Sequence, residues 1–234
     1  MRQIILDTET TGLDPRQGHR VIEIAAVEMQ NRRLTGNHFH RYLNPDRDIE
    51  EGALQVHGIT REFLQDKPRF GDIAAEFLEF VQGAELIIHN APFDTAFLNA
   101  ELALHGMKEL QAYAGEVIDT LLMARNLHPG QRNSLDALCK RYGVDNSTRT
   151  LHGALLDCEL LAQVYLSMTR GQETLVMEAS GAAAAMAGAG NKRQRPRPLA
   201  AAIPESELAV HLDLLKQIDK ESGGGCLWMQ EQAG

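Results

Sequence analysis

The sequence predicts an α/β fold in which a mixed sheet is flanked by helices, and three observations carry that prediction. Three strand-like apolar segments follow one another with short turns between them, so the chain opens as an antiparallel meander. From residue 70 the apolar spacing changes to three and four, and helix-like segments then alternate with short apolar runs. A meander that gives way to alternating helices and strands needs helices on both faces of one sheet. At 234 residues, 44% hydrophobic and 24% charged, the chain can bury one core with an appendage and has the composition of an ordinary globular protein.

Residues 3–9, 20–28 and 37–43 read as the three strands of the meander, separated by turn chemistry at Thr11-Gly12, Asn31 and Asn44-Pro45. Phe70, Ile73, Ala74, Phe77, Leu78 and Val81 form one apolar stripe that stops at Gly83, which predicts an amphipathic helix. Residues 85–89 are a fourth strand. Asn90-Ala91-Pro92 then opens a helix over 93–105, with Pro92 where its missing N–H costs least and Gly106 as the stop. Val117-Ile118-Asp119-Thr120 is a short strand, 121–127 a helix, and Ser134 caps a helix over 135–142 that ends at Gly143. A last long helix covers 152–167.

Composition breaks near residue 170. Residues 179–203 are Ala/Gly-rich and then Arg/Pro-rich, with almost nothing large to bury, so they are expected to form a flexible linker. Beyond it, Leu208, Leu212, Leu215 and Ile218 line one helical stripe, followed by three glycines and Cys226-Leu227-Trp228-Met229. This stripe has no local partner, which points to a docking tail; folding back on the chain's own core is the alternative. The expected parts are therefore 1–170, 171–178, 179–203 and 204–234.

The net charge of −9 is opposite in sign to that of a protein wrapping a basic face around phosphates, so a passive DNA-binding module is disfavoured. Clustered carboxylates occupied by divalent cations would still meet phosphates. No run is long and apolar enough to span a bilayer, and the first residues lack the apolar core of a secretory signal, so a cytoplasmic protein without a membrane role is expected. Cys139, Cys158 and Cys226 have no CxxC spacing and read as free thiols in a reducing compartment.

Three segments bear on chemistry. In Leu6-Asp7-Thr8-Glu9-Thr10-Thr11-Gly12 the period of two puts Asp7 and Glu9 on one face of a strand end, a costly pair to bury unless cations compensate it, though acidic pairs at strand ends are also common on surfaces. Asp94 follows the fourth strand in the first turn of a helix, where compensation of the helix dipole also accounts for it. In His152-Gly153-Ala154-Leu155-Leu156-Asp157, five helical residues would turn about 500°, leaving the two side chains about 140° apart. For both to reach one site His152 must sit in the loop or cap before the helix, which Gly153 permits; otherwise it is only a helix-entry residue and Asp157 a solvated acid. Oxygen-only ligands favour hard Mg²⁺ or Mn²⁺, and a histidine titrating near neutrality can take a proton from water, so the combination predicts phosphodiester hydrolysis.

Asp7-x-Glu9, Asp94 and His152-x4-Asp157, in that order, resemble the three motifs of the DEDDh class of DnaQ-like 3′–5′ exonucleases, which have a ribonuclease H-like fold. Leu6–Leu13, Val56-His-Gly-Ile-Thr60, His89–Leu98 and Ser134–Tyr142 resemble the proofreading members of that family, with likeness over about residues 2–170 and again in the tail. The resemblance implies two divalent cations, Mg²⁺ or Mn²⁺, held by Asp7, Glu9, Asp94 and Asp157, with Asp7 bridging both and His152 as general base. It places Asp7, Glu9 and Asp157 with Thr10, Leu13 and His57 around the 3′-terminal nucleotide, Leu13 wedging against its base and His57 in a loop bordering the pocket. Thr8, Asn90 and Asp119 read as structural residues of caps and turns.

The resemblance also implies partners. Gln172, Leu175 and Met177 are similar to a peptide that binds the sliding clamp, with Met177 in place of an aromatic residue. Leu208, Leu212, Leu215, Ile218, Leu227 and Trp228 fall in the part that docks on the polymerase, the alpha subunit of bacterial DNA polymerase III, and a small third core subunit is implied as well. The implied activity is removal of misinserted nucleotides from single-stranded or frayed DNA 3′ ends at the nucleoid-associated replisome. A stand-alone 3′ exoribonuclease and a catalytically vestigial polymerase scaffold are the alternatives; the tail argues against the first and the five intact motif residues against the second.

Overall fold

The computed structural model describes residues 2–170 and 205–221, and it forms the α/β architecture that the sequence predicts. A five-stranded sheet has the order β3-β2-β1-β4-β5. β1 (Arg2–Thr10), β2 (Val21–Gln30) and β3 (Arg33–Tyr42) make the antiparallel meander, and β4 (Glu85–Ile88) and β5 (Val117–Asp119) extend it in parallel on the other side of β1.

Because β1 is central, both its faces are buried, and its residues divide between two cores. Ile4 and Leu6 enter a cluster with Phe70, Phe77 and Val81 of α3 (Phe70–Val81) and Phe97, Leu98 and Leu102 of α4 (Ala91–Leu104). Ile5 points the other way, into a cluster with Leu138 of α6 (Leu135–Tyr142) and Leu160, Leu161 and Val164 of α7 (Ala154–Met168). The alternation continues past the apolar residues, so Asp7 and Glu9 belong to the α7 face and Thr8 to the α4 face. α5 (Thr120–Leu127) is capped by Asp119, whose carboxylate accepts from the N–H groups of Leu121 and Leu122. Ser134 caps α6 as predicted.

Several elements differ from expectation. α1 (Glu51–His57) and α2 (Arg61–Leu64) were not predicted; each buries a single residue, His57 or Leu64, too little for an apolar stripe to appear in the sequence. His57 is accordingly the last residue of a helix closed by left-handed Gly58, not a loop residue. β3 starts at Arg33 because residues 33–38, on the sheet edge, are all exposed and carry no alternation. α7 starts at Ala154, so His152 stands outside it.

Residues 205–221 form α8 (Glu205–Glu221), in which Leu212 and Ile218 are exposed as an unpartnered stripe requires but Leu215, expected on the same stripe, is buried. The side chain of Leu208 and residues Gln172, Leu175, Met177, Leu227, Trp228 and Cys226 lie outside what is described. Among the described residues Cys139 and Cys158 are free and buried, and no helix is long and apolar enough to cross a membrane.

Candidate active site

The carboxyl end of β1 meets the amino ends of α4 and α7 in a cleft of about 970 Å³. Asp7, Glu9, Asp94, His152 and Asp157 all line it, together with Thr10, Leu13 and His57. Four separate segments of sequence are thus brought to one place.

Each side chain arrives for a local reason. Asp7 and Glu9 follow Ile5 along one face of β1, opposite Ala25 and Glu23 of β2. A bulge between Glu9 and Thr10 ends the regular pairing there. Asn90 adopts φ 67°, a left-handed conformation that asparagine tolerates, and this turns the chain from β4 sharply into α4. Asp94 then lies in the first turn of α4, where one oxygen accepts from the Thr8 N–H (3.0 Å) and the Thr8 hydroxyl (2.7 Å). Extended Gly153 precedes α7, so Asp157 projects from its first turn while His152 stays in the loop, its N–H donating to Val56 O at 3.0 Å. The ring of His152 comes within 3.5 Å of Asp157 Oδ2, the arrangement that a continuous helix would forbid.

The site is strongly acidic. Glu9, Asp94 and Asp157 are buried, and Glu23 adds a fifth carboxylate behind Glu9, with one oxygen 2.7 Å from His40 Nε2 and the other without a hydrogen-bond partner. Burial, reinforced by the neighbouring carboxylates, raises the Asp7 carboxyl well above the usual range and pushes Glu9 up to about 8. Burial likewise raises Asp94 to about 7, against the two hydrogen bonds from Thr8 that favour its charged form. His152 is lowered, first by burial and then by the Arg149 guanidinium, both of which favour the neutral imidazole.

Arg149 is one of two site residues that sequence reasoning missed. Its guanidinium forks onto both oxygens of Asp157 (2.5 and 2.6 Å), donates to Asp136 Oδ1 (2.8 Å) and lies 2.9 Å from His152 Nδ1. Its side chain is only 6% exposed. Nothing in Asn146-Ser-Thr-Arg-Thr-Leu-His152 distinguishes this arginine from a surface one, and only the folded loop reveals that it faces three acceptors. Glu23 was missed for a related reason: its position inside an apolar strand is visible, but its register opposite Glu9 is not.

The donor set fits divalent cations. Glu9, His152 and Asp157 offer atoms that all lie within 4.8 Å of one another, Asp7 and Asp94 border the same cleft, and the raised Asp7 and Glu9 carboxyls mark buried negative charge that a cation would compensate. Oxygen donors in this number suit a hard ion, and among the described residues no thiolate is available to the site, since Cys139 and Cys158 lie in the core. Leu13, just beyond the carboxyl end of β1, lines the cleft and is 81% exposed.

Comparison with known proteins agrees with this geometry. Residues 4–165 match the exonuclease (RNase_T) family. The chain is 49% identical over 240 residues to the DNA polymerase III subunit epsilon of Pasteurella multocida, covering 99% of this chain and 95% of that protein. It is also 49% identical over 240 residues to the subunit epsilon of Salmonella typhimurium, covering 97% of each. Among solved structures, exonuclease X in complex with 5′ overhanging duplex DNA superposes with a TM-score of 0.58 at 30% identity, over 72% of this chain and 92% of that one. The nuclease domain of 3′hExo, a DEDDh family member bound to rAMP, shares the fold with a TM-score of 0.62 at 20% identity, over 73% of this chain and 92% of that one. The chain therefore belongs to the exonuclease family and, within it, to the DNA polymerase III epsilon subunits.

Proposed function

We infer that this chain is a metal-dependent 3′–5′ exodeoxyribonuclease that proofreads DNA synthesis as a subunit of the replicative polymerase, releasing 5′-mononucleotides. The observation that carries this reading is the convergence of four carboxylates and one neutral histidine in a single cleft, in a chain of the epsilon type.

In this reading Asp7, Glu9, Asp94 and Asp157 would hold two ions, Mg²⁺ or Mn²⁺. When bound, such ions stabilise charge developing at phosphorus and on the leaving 3′-oxygen and make water a better nucleophile. The chain's own residues do the rest. Thr8 orients the Asp94 carboxylate through two hydrogen bonds. His152, held in the loop before α7 by its N–H on Val56 O, accepts the proton of the attacking water. Leu13, exposed at the mouth of the cleft, is suited to wedge against the terminal base, with Thr10 and His57 lining the pocket behind it.

The partners belong to the same proposal. The exposed apolar residues of α8 are suited to the alpha subunit, with Leu208, Leu215, Leu227 and Trp228 completing the docking tail, and Gln172, Leu175 and Met177 are assigned to the sliding clamp. A small third core subunit and a cytoplasmic place at the replisome follow from the epsilon resemblance. Tethering explains the acidic balance, because a polymerase that delivers the primer end at high effective concentration removes the need for tight intrinsic DNA binding.

The test is degradation of 5′-labelled single-stranded DNA and RNA of matched sequence, with Mg²⁺ or EDTA, by wild type and His152→Ala. Shortening of DNA from the 3′ end that needs Mg²⁺ and slows by about 10²–10⁴-fold without the base is expected. Preference for RNA would favour an RNA maturation nuclease, and no cleavage of either would favour a scaffold.

A further inference from the structure

Leu13 is 81% exposed and has little packing of its own to hold its backbone, so the turn that carries it must be fixed from behind. The residue behind it is His19, which is buried and has both ring nitrogens engaged. Nδ1 lies 3.0 Å from Thr11 Oγ1, and Nε2 lies 3.0 Å from Glu50 Oε1. Thr11 Oγ1 accepts from the Arg20 N–H at 3.0 Å, so its own hydrogen is directed to His19 Nδ1 and the Nε2–H donates to Glu50. Glu50 closes the circuit with its N–H on Thr11 O, also 3.0 Å. The ring packs so tightly against Gly12 that a Cβ there would sit 2.3–2.6 Å from three of its atoms.

This circuit joins the two walls of the pocket. One wall is the Thr10–Leu13 turn, further tightened by the Thr10 hydroxyl donating to Gly12 O at 2.7 Å. The other is α1, of which Glu50 is the N-cap residue and His57 the last residue. We propose that His19 is a positioning residue for the 3′-terminal nucleotide, clamping the Leu13 turn to the start of α1 and so setting the gap between Leu13 and His57. This rests on the assignment of Leu13 and His57 to that nucleotide.

The test uses the full chain with Mg²⁺ and single-stranded DNA, and measures KM and kcat for His19→Ala, His19→Gln, Leu13→Ala, Gly12→Ala and the double variant Gly12→Ala/His19→Ala. His19→Ala is expected to raise KM about tenfold with kcat within about threefold of wild type, since it removes positioning and leaves the carboxylates in place. His19→Gln, whose amide can accept from Thr11 and donate to Glu50, is expected to restore KM to within about twofold. Gly12→Ala should raise KM by itself, yet add nothing in the His19→Ala background, where the ring it collides with is gone. An unchanged KM in His19→Ala alongside a raised KM in Leu13→Ala would overturn the inference alone. So would a fall in kcat without a change in KM, the signature of a merely structural loss. An unchanged KM in Leu13→Ala would instead overturn the assignment of the terminal nucleotide, and the role of His19 with it.

Discussion

Glu9 and Asp94 hold protons in the fold that they would release in water, and this ties stability to pH in a definite direction. With Glu9 at about 8 and Asp94 at about 7, the folded chain keeps protons that the unfolded chain, with ordinary carboxylates near 4, has lost. Their contribution is therefore fully present at low pH and is lost as pH rises toward 8. In EDTA, Glu9→Gln is expected to have a higher Tm relative to wild type at pH 8 than at pH 6, and added Mg²⁺ should raise the wild-type Tm more at pH 8. A Tm gap independent of pH would show that Glu9 is ionised in the fold throughout. Arg149 acts in the opposite sense, since its fork on Asp157 compensates one of the buried charges. Arg149→Ala leaves that carboxylate unpaired and is expected to cost about 3–5 kcal/mol of stability in EDTA, measured by denaturant unfolding. A loss below 1 kcal/mol would mean that solvent replaces the guanidinium.

At the scale of elements, the site exists because strand and helix ends are aimed by their caps. Thr8 is buried on the α4 face of β1, and its hydroxyl reaches across to Asp94. Thr8→Val keeps the branched shape and removes the hydroxyl donor, so it should cost about 1.5–3 kcal/mol and lower kcat about tenfold or more, with KM little changed. A variant with wild-type kcat would show that the Thr8 N–H alone orients Asp94. The same elements mark what a sequence can disclose. The alternation of β1 and the spacing of α3 are local patterns and were legible; the 140° argument showed only that His152 must leave the helix if it is to share a site with Asp157, while the helix itself was expected from residue 152. α1 and α2 were not legible, because each buries one side chain and the fold places them by tertiary contact. Arg149 and Glu23 were illegible for a further reason: their partners are determined by loop closure and by register, which are long-range facts. Thr8 stood between them, recognisable as a cap or turn residue but not as the donor to a particular carboxylate 86 positions away.

For the whole molecule, the proposed reading divides the chain into a catalytic part and a docking tail. The carboxylates, His152 and both cores lie within residues 2–170, whereas the exposed leucines of α8 belong to 205–221. Asp7→Ala/Glu9→Ala should abolish hydrolysis and still co-purify with the polymerase subunit, while a chain ending at residue 205 should hydrolyse DNA and fail to co-purify. Loss of binding in the first, or its retention in the second, would contradict the division. The most direct measurement follows a 5′-labelled primer on a template, with its 3′ nucleotide either paired or mispaired, in the presence of the polymerase subunit, nucleotides and Mg²⁺. With the wild-type chain the mispaired nucleotide should be excised before extension, so that extended products lack it, and with Asp7→Ala/Glu9→Ala the mispair should persist in whatever is extended. Equal retention of the mispair with both chains would contradict a proofreading site built on these carboxylates.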